Sequence, residues 1–380
     1  MEILNPFPLA LTFDDILLVP GYAGFSRSDI TLSTQLTRNI SLKLPFISSP
    51  MDTVTESDLA ITLGKLGGIG IIHRNLTIDE QVTEVKKVLA EHVLVGAAVG
   101  AGKGVEERIE ALMKAKVSVL LVDSAHGYAK NVIETVTFIK SHFPDIEVIA
   151  GNIATADGAA ALIQAGADGL RVGMGPGAIC TTRIISGMGV PQVTALMETV
   201  RVAKEHHVPV IADGGIKYSG DMVKALAIGA STVMMGSFFA AAKEAPGEKV
   251  ELTRAQVPAR FQSIFQKDKE TYLFKSYRGM GSIGAMTKGA KIKGEDEFHG
   301  KSYKDRVLVA EGVEGLVPVK GTVQQLVDQA IGGIKSGMFY VGATNLTELV
   351  EKAKFLQITQ ASLTESHPHD VLITNAGENY

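Results

Sequence analysis

Eight short apolar runs, most of them followed by a segment in which apolar residues recur at helical spacing, divide much of the chain into repeating units. Each run is almost continuously apolar, which is typical of a parallel strand covered on both faces. The runs are LPFISS (44–49), IGIIH (69–73), VLVGAAVG (93–100), VSVLLVD (117–123), IEVIAG (146–151), GLRVG (169–173), VPVIAD (208–213) and STVMMG (231–236). Eight successive strand–helix units predict an α/β fold, a (β/α)8 TIM barrel, with residues 1–380 forming one domain.

Barrels of this kind carry their chemistry at the carboxyl ends of the strands, where the loops that lead into the helices meet. In this sequence the predicted strand ends carry small, polar or charged residues, which are Ser49, Asp52, His73, Asp123, Asn152, Gly173, Asp213 and Gly236. We therefore expect the functional site at this end of the barrel.

One stretch, VGAAVGAGKGVEERIEALMKAKVSVLLVD, resembles the fingerprint of a Rossmann dinucleotide-binding fold. Its glycines do not follow the G-x-G-x-x-G spacing, and the strand–helix rhythm continues unbroken on both sides of it. The barrel is therefore the favoured prediction, and Asp123, about 20 residues after the glycines, remains a candidate for contact with a ribose.

Glycine clusters follow the last two predicted strands, in ADGGIKYSG and MMGSFF. Barrels commonly bind phosphate at this place through backbone N–H groups, although Gly214, Gly215 and Gly236 could instead serve only to make tight turns. Ser237 adds a hydroxyl, and Asp213 suits a carboxylate that accepts from two ribose hydroxyls. Phosphate and ribose together indicate a nucleotide ligand.

The single cysteine, Cys180, lies in GMGPGAICTTR, the glycine-rich loop after the sixth predicted strand. A lone cysteine is often a small buried apolar residue, but a loop of this composition brings a ligand close to the sulfur. The thiolate would then act as a nucleophile or a ligand. Metal ligation by the sulfur is disfavoured, because there is no second cysteine and no histidine at ligand spacing nearby.

The composition of the chain argues against several classes of binding partner. The net charge is −4 and the lysines are scattered, so the basic stripe of a nucleic-acid-binding protein is missing. The chain contains no apolar run of membrane-spanning length and no signal-peptide pattern at its beginning, and one cysteine allows no internal disulfide. We expect a cytoplasmic protein with a small-molecule partner and no contact with nucleic acid or membrane.

Over nearly its whole length the chain resembles the inosine-5′-monophosphate (IMP) dehydrogenase family, whose superfamily includes GMP reductase. The stretches that carry the resemblance are LTFDDILLVP, PFISSPMDTVTE, GGIGIIHRN, VDSAHGY, AGNIAT, VGMGPGAICTTR, GVPQ, ADGGIKYSGD, YRGMGSIGAM, EGVEGLVPVKG and ESHPHDVLIT. In that family a cysteine attacks C2 of the purine, a hydride passes to NAD⁺, and the covalent thioimidate is hydrolysed to xanthosine monophosphate (XMP).

The resemblance implies a role for individual residues of this sequence. The implied catalytic residues are Cys180, Thr182 and Glu311. The implied nucleotide site consists of Ser49, Met51, Asp213, Gly215, Gly236, Ser237, Tyr277, Met280, Gly281 and Glu311. The NAD side is implied to contain Asp123, Ser124 and Asn152. A K⁺ ion is implied on the carbonyls of Gly175, Gly177 and Cys180, with Glu365, Ser366 and His367 supplied by a neighbouring subunit, and hence a homotetramer.

Two departures from the family pattern leave the main expectation intact. The regulatory CBS modules that the family usually carries between the second helix and the third strand are expected to be absent near residues 90–93, because QVTEVKKVLAEHVLVGAAVG runs straight through. Ala178 replaces a serine that bonds the substrate phosphate in the family, which removes one donor worth about 0.5 to 1.5 kcal/mol.

A third departure opens an alternative. The mobile flap expected after the eighth strand, residues 282–318, lacks the adjacent Arg-Tyr pair whose arginine serves the dehydrogenases as a base. GMP reductases, which convert GMP and NADPH to IMP and ammonia, lack that arginine and the CBS modules too. The long flap, EGVEG and YRGMGSIGAM favour the dehydrogenase, with Arg306 as a candidate substitute base.

The stretch LTRAQVPARFQSIFQKDKETYLF, before YRGMG, is longer and more polar than the family pattern. We interpret it as an elongated hairpin. A catalytically silent nucleotide-binding protein is a third possibility, and it would be favoured if this stretch covered the site.

Overall fold

The computed structural model describes residues 7–102, 104–258, 270–293, 297–298, 301–302 and 309–371. Its eight central strands form a closed barrel in which every neighbouring pair is parallel, and the last strand pairs with the first, Met234 opposite Ile47. They are β1 (Phe46–Ser48), β2 (Ile69–Ile72), β3 (Val95–Val99), β4 (Val119–Asp123), β5 (Glu147–Ile153), β6 (Gly169–Val172), β7 (Val210–Asp213) and β8 (Thr232–Met235). All eight predicted strands and the predicted TIM barrel are confirmed.

One long helix follows each barrel strand in sequence and packs on the outside. These helices are α1 (Ser57–Leu66), α2 (Ile78–Ala90), α3 (Glu106–Lys114), α4 (Lys130–His142), α5 (Ala156–Gln164), α6 (Gln192–Glu205), α7 (Ser219–Ile228) and α8 (Val323–Val341). Local chemistry sets several of their ends. Thr77 accepts from the amide of Glu80 while the Glu80 carboxylate accepts from the amide of Thr77, a capping box that begins α2. Gly67, at φ 103°, takes the left-handed conformation that ends α1.

Because side chains alternate along each strand, the hydrophobic core has two layers, one between the strands and the helices and one inside the barrel. In β1, Phe46 points outward to the helices and Ile47 points into the barrel, and both are fully buried. The two-stranded hairpin of Thr34–Gln35 and Ser41–Leu42 adds Leu36 and Leu42 to the inner cluster. This hairpin therefore closes the end of the barrel opposite the strand carboxyl ends.

An insertion after β8 builds a second, antiparallel sheet. Strands Lys249–Thr253 and Thr271–Arg278 pair with each other, and Glu314–Pro318 pairs with the second of them. The hairpin predicted from the polar insertion is confirmed. The short helix Ser237–Ala240 follows β8 directly, and helix Ile283–Lys293 and the short strands Glu297–Phe298 and Lys301–Ser302 lie in the first part of the predicted flap.

A buried lysine joins this added sheet to the barrel. Lys275 is fully buried and its ammonium group donates to the carbonyl oxygens of Ala242 and Ala245, just after helix Ser237–Ala240. Burial lowers the pKa of Lys275 to about 8, because an ammonium group loses hydration there.

The two ends of the described chain meet. Strand Ile16–Leu18 pairs antiparallel with Phe355–Gln357, and helices Leu346–Lys352 and Gln360–Glu365 flank the second of these strands. Three short 3-10 helices, Phe13–Asp15, Arg27–Asp29 and Arg254–Gln256, and the short helix Thr182–Ile185 after the cysteine loop complete the elements of the described residues. Within the described residues, none of the helices has the length and apolar character needed to cross a membrane.

A buried carboxylate organises the face of the barrel opposite the strand carboxyl ends. Asp168, which is 4% exposed, precedes β6 and accepts from Arg38 Nη1 at 3.2 Å, Lys140 Nζ at 3.0 Å and the amide of Val148 at 2.9 Å. These contacts tie the closing hairpin, α4 and β5 together. Because this face lies away from the strand ends, its interactions stabilise the fold.

Replacing Asp168 with alanine should therefore lower the free energy of unfolding by about 2 to 3 kcal/mol, because two cations and a buried amide lose their acceptor. Guanidinium chloride unfolding measures the change. The exposed Asp145, in the loop after α4, supplies the control: Asp145→Ala should change stability by less than about 0.5 kcal/mol. Equal losses in the two variants would contradict a special role for Asp168.

Candidate active site

A cavity of about 430 Å³ lies at the carboxyl ends of the barrel strands. Most of the residues singled out in the sequence line it together, namely Ser49, Met51, Asp123, Ser124, Asn152, Gly175, Gly177, Cys180, Thr182, Asp213, Gly215, Gly236, Ser237, Tyr277, Met280, Gly281 and Glu311. The cavity also includes Ala178, at the place of the missing serine. The volume is in the range of small-molecule sites.

Two strand-end residues predicted for the rim lie beneath it instead. His73 is fully buried and its ring contacts Glu56, with Nε2 3.2 Å from Oε1. Asp52 is 6% exposed and accepts from Arg278 Nε at 3.0 Å and Asn75 Nδ2 at 2.8 Å. Burial alone would raise the pKa of Asp52, but these hydrogen bonds and the Arg278 charge outweigh it and lower the pKa. Both residues support the loops of the site from below.

The cysteine loop is held by a segment that returns from the flap. Thr181 N donates to Glu311 O at 3.1 Å and Val313 N donates to Ile179 O at 2.9 Å. On its other side the same segment bonds the loop that follows strand Thr271–Arg278, through Glu311 N to Gly281 O at 3.1 Å. Residues 311–313 thus fix the two loops of the site against each other.

This arrangement brings a thiol, a hydroxyl and a carboxylate into one line. The Cys180 thiol donates to Thr182 Oγ1 at 3.2 Å, and the Thr182 hydroxyl donates to Glu311 Oε2 at 2.9 Å. The Glu311 carboxylate is the acceptor at the end of the line, so it can take the thiol proton through Thr182. Cys180 is half-buried and reachable from the cavity. The geometry suits an activated nucleophile.

The predicted phosphate site is shaped by a close approach at Gly236. A side chain there would place its Cβ 2.6 Å from the Tyr277 hydroxyl and 3.1 Å from Met51 Sδ, so only glycine fits. Burial raises the pKa of Tyr277, and the nearby Asp213 carboxylate adds to the effect. The phenol therefore stays protonated and can donate to an anion.

A buried arginine, absent from the sequence-based expectations, links two predicted ligand carboxylates. Arg171 donates from Nη1 to Asp123 Oδ1 at 2.5 Å and from Nε to Asp213 Oδ2 at 2.9 Å. Burial opposes its charge, but the two carboxylates more than compensate and raise the pKa of Arg171. A charged residue inside the apolar run GLRVG was the signal that could have revealed it, because such a charge needs a buried partner.

Asp213 keeps one oxygen available for a ligand. Asn152 Nδ2 donates to Oδ2 at 2.8 Å, the same oxygen that accepts from Arg171. Within the described residues, the side-chain hydrogen bonds of Asp213 thus converge on Oδ2, which leaves Oδ1 to accept from hydroxyls in the cavity.

Arg74 is a second functional candidate that sequence reasoning missed. It lines the cavity beside Asp123, with Nε 3.6 Å from Asp123 Oδ2. Nε is buried and has no hydrogen-bond partner within the described part of the chain. This nitrogen faces the Asp123 carboxylate, and the rest of the Arg74 side chain is the part that lines the cavity.

The predicted potassium site divides into two parts in this chain. The loop of Gly175, Gly177 and Cys180 offers carbonyl oxygens, the donors that K⁺ prefers, and that of Gly177 also accepts from Cys180 N at 3.1 Å. The predicted C-terminal ligands lie at the end of helix Gln360–Glu365, with the His367 ring 6.2 Å from that of Tyr218. Among the described residues, no group of acidic, histidine or cysteine side chains has the arrangement of a metal site. Arg306 lies outside the described residues.

Comparison with known proteins gives a consistent result. The profile of a family described as "IMP dehydrogenase / GMP reductase domain" matches residues 10–369. The chain is similar to an inosine-5′-monophosphate dehydrogenase of Borreliella burgdorferi, with 42% identity over 95% of this chain and 97% of that protein. It is similarly related to one from Cryptosporidium parvum, at 42% over 97% of each chain, and to one from Aquifex aeolicus, at 38% over 100% of this chain and 99% of the other.

The hydrogen bonds from Cys180 through Thr182 to Glu311 predict the rate at which the thiol reacts. Glu311→Gln should slow alkylation of Cys180 by iodoacetamide at neutral pH by about tenfold, because glutamine cannot take the proton that leaves the thiol through Thr182. Loss of the free thiol with time measures the rate.

Glu314→Gln is the matched control, since the Glu314 carboxylate accepts from the amide of Gly284 at 2.7 Å. That variant should react like the wild type. If Glu311→Gln also reacts at the wild-type rate, the carboxylate does not activate the cysteine.

Proposed function

The chain belongs to the IMP dehydrogenase / GMP reductase family, and we propose that it is an IMP dehydrogenase that oxidises IMP to XMP with NAD⁺. The observation that carries the chemistry is the hydrogen-bonded line from Cys180 through Thr182 to Glu311 at the cavity. Relatives named as the dehydrogenase, aligned over nearly the full length of both chains, support this choice within the family.

We propose that the nucleotide binds with its phosphate at β8 and its base beside Cys180. The backbone amides of Gly215 and Gly236, with the hydroxyls of Ser237 and Tyr277, donate to the phosphate. Asp213 Oδ1 accepts from the ribose hydroxyls, which orients the sugar. The remaining nucleotide contacts come from Ser49, Met51, Met280 and Gly281.

The first chemical step forms a bond between Cys180 Sγ and C2 of the base. Glu311 receives the thiol proton through Thr182, so the sulfur attacks as a thiolate. NAD⁺, when bound, accepts the hydride that leaves C2. Asp123, Ser124 and Asn152 line the side of the cavity where the nicotinamide binds, and Arg74 lines the cavity beside Asp123.

The second step hydrolyses the thioimidate. Water adds to C2, its proton passes to a base, and the C2–S bond breaks to release XMP and regenerate the Cys180 thiolate. We propose Glu311, acting through Thr182, as one base, after the thiol proton that it received in the first step has passed to solvent. Arg306, in the flap, is proposed as the second, in place of the arginine that the flap lacks.

The missing Arg-Tyr pair is also the observation that keeps GMP reductase as the second candidate. The reductase would use the same covalent adduct and the same phosphate and ribose contacts, so the site alone serves both reactions. A silent nucleotide-binding protein is less well supported, because binding does not require an activated thiol.

We propose that the protein works in the cytoplasm as a homotetramer with K⁺ bound at the cysteine loop. The three loop carbonyls of Gly175, Gly177 and Cys180 are too few to surround the ion, and Glu365, Ser366 and His367 of a neighbouring subunit would complete the shell. The ion would stiffen the loop that carries the nucleophile.

We also propose that the CBS modules are absent between α2 and β3. Helix α2 ends at Ala90 and β3 begins at Val95, so four residues connect them. The alignment with the A. aeolicus relative spans 508 positions against the 380 residues of this chain, which indicates that the relative has residues without a counterpart here.

The decisive assay follows absorbance at 340 nm. IMP with NAD⁺ should produce NADH continuously, whereas GMP with NADPH should give no oxidation above background. Cys180→Ala should lower turnover by at least about a thousandfold while the dissociation constant for IMP changes by less than about threefold, because phosphate and ribose contacts remain.

Three results would contradict parts of this proposal. Oxidation of NADPH with GMP, without NADH formation from IMP, would establish the reductase instead. Residual turnover above a few per cent in Cys180→Ala would exclude covalent catalysis. Failure of 6-chloropurine ribotide to modify Cys180, together with no turnover, would favour the silent binding protein.

Exchange of K⁺ for Na⁺ tests the ion site separately. Turnover should fall by about tenfold in Na⁺, because a loosened loop no longer holds Cys180 in its reactive position. Steady-state rates in matched chloride salts measure the effect, with choline chloride as the control for ionic strength. Equal rates in all three salts would exclude an ion at this loop.

A further inference from the structure

Two buried glutamines occupy matching places four strands apart in the barrel. Gln81 lies in the first turns of α2, after β2, and Gln192 begins α6, after β6. Both are fully buried. Each uses its amide nitrogen to bridge a carbonyl of the strand before its helix and a carbonyl of the next strand.

The distances show the same bridge twice. Gln81 Nε2 donates to Ile72 O at 3.3 Å and to Ala98 O at 2.8 Å, joining β2 to β3. Gln192 Nε2 donates to Val172 O at 2.9 Å and to Asp213 O at 3.1 Å, joining β6 to β7.

The two bridges lie at the same place in their ladders, because Ile72 forms the last pair with Ala97 and Ala98 lies one residue beyond it. They differ in the residues that follow, since the Gln192 bridge reaches the cysteine loop and Asp213. Val172 is the last residue of β6, and its pairing with Ala212 is the last of the β6–β7 ladder. Gly173 and Asp213 lie one residue beyond the ladder, where the cysteine loop begins and where the proposed ribose acceptor lies. Gln192 supplies the connection that the ladder no longer makes.

The junction between Gly173 and Asp213 is closely packed. A Cβ on Gly173 would lie 2.1 Å from Asp213 O and 3.1 Å from the amide atoms of Gln192. Asn152 Nδ2 donates to Gly173 O at 2.9 Å and to Asp213 Oδ2 at 2.8 Å. The two amides therefore clamp the beginning of the cysteine loop to Asp213.

The glutamines also differ at their oxygens. Gln81 Oε1 accepts from Arg108 Nη1 at 2.7 Å. Gln192 Oε1 is buried and accepts from no group within the described residues. A buried amide whose oxygen accepts no hydrogen bond costs stability. The role of the Gln192 side chain therefore lies in the two hydrogen bonds that its nitrogen donates.

We propose that Gln192 is a positioning residue of the dehydrogenase, which sets the separation between the Cys180 loop and the ribose acceptor Asp213. This inference rests on the proposed function. The nucleotide is held by Asp213 and attacked by Cys180, so the bridge controls how closely C2 approaches the sulfur. A misplacement of about 1 Å at such a distance costs about a hundredfold in rate.

The test compares Gln192→Met with Gln81→Met, two substitutions that each remove one buried amide bridge while keeping side-chain length. Gln192→Met should slow the pre-steady-state burst of NADH from IMP and NAD⁺ by about 10- to 100-fold and raise KM for IMP. Gln81→Met should leave the burst within about threefold of the wild type, although both variants lower the melting temperature.

A second measurement separates positioning from damage to the nucleophile. Iodoacetamide reaches Cys180 without using Asp213, so its rate of reaction with Gln192→Met should stay within about twofold of the wild type. Gln192→Glu, which keeps the shape but cannot donate to both carbonyl oxygens, should slow the burst as well and serves if the methionine variant does not fold.

The outcomes distinguish this inference from the proposed function. A wild-type protein that forms no NADH overturns the proposed function and, with it, this role of Gln192. A wild-type burst that Gln192→Met retains overturns the inference alone. Equal slowing by Gln81→Met, or slowed alkylation in Gln192→Met, would reduce Gln192 to a general structural role.

Discussion

The pairing of β8 with β1, through Met234 and Ile47, closes the barrel and determines where everything else can lie. Because all eight strands are parallel, closure brings their carboxyl ends to one rim. Residues separated by most of the chain, such as Ser49 and Glu311, therefore line the same cavity. At the opposite rim, the closing hairpin and the contacts of Asp168 stabilise the closed barrel.

At the rim that carries the cavity, backbone hydrogen bonds position some of the site residues and buried ion pairs position others. Residues 311–313 bond the cysteine loop on one side and the loop at Gly281 on the other, which gives the Cys180–Thr182–Glu311 line its geometry. Arg171 donates to the carboxylates of both Asp123 and Asp213, which fixes their positions at the cavity. Main-chain hydrogen bonds thus position the nucleophile, and ion pairs with Arg171 position the proposed ligand acceptors.

The sequence was sufficient to predict the features that depend on local pattern. Apolar runs located all eight strands, and the glycine-rich surroundings of Cys180 identified the loop of the site. Asp52 and His73 follow their strands as expected but do not line the cavity, because a position after a strand does not determine which way the side chain points. Arg171, Gln192 and the buried Lys275 escaped notice because their partners lie far away in sequence or are main-chain carbonyls, which leave no trace in residue type.

The pairing of Ile16–Leu18 with Phe355–Gln357 has a consequence for the order of assembly during synthesis. Phe13 and Ile16 belong to the main core, yet the strand that completes their sheet is made some 340 residues later. The N-terminal segment therefore cannot complete this sheet until residues 355–357 have been synthesised. Contacts of such long range slow folding, because the entropy of closing the intervening loop is lost before the pairing is gained.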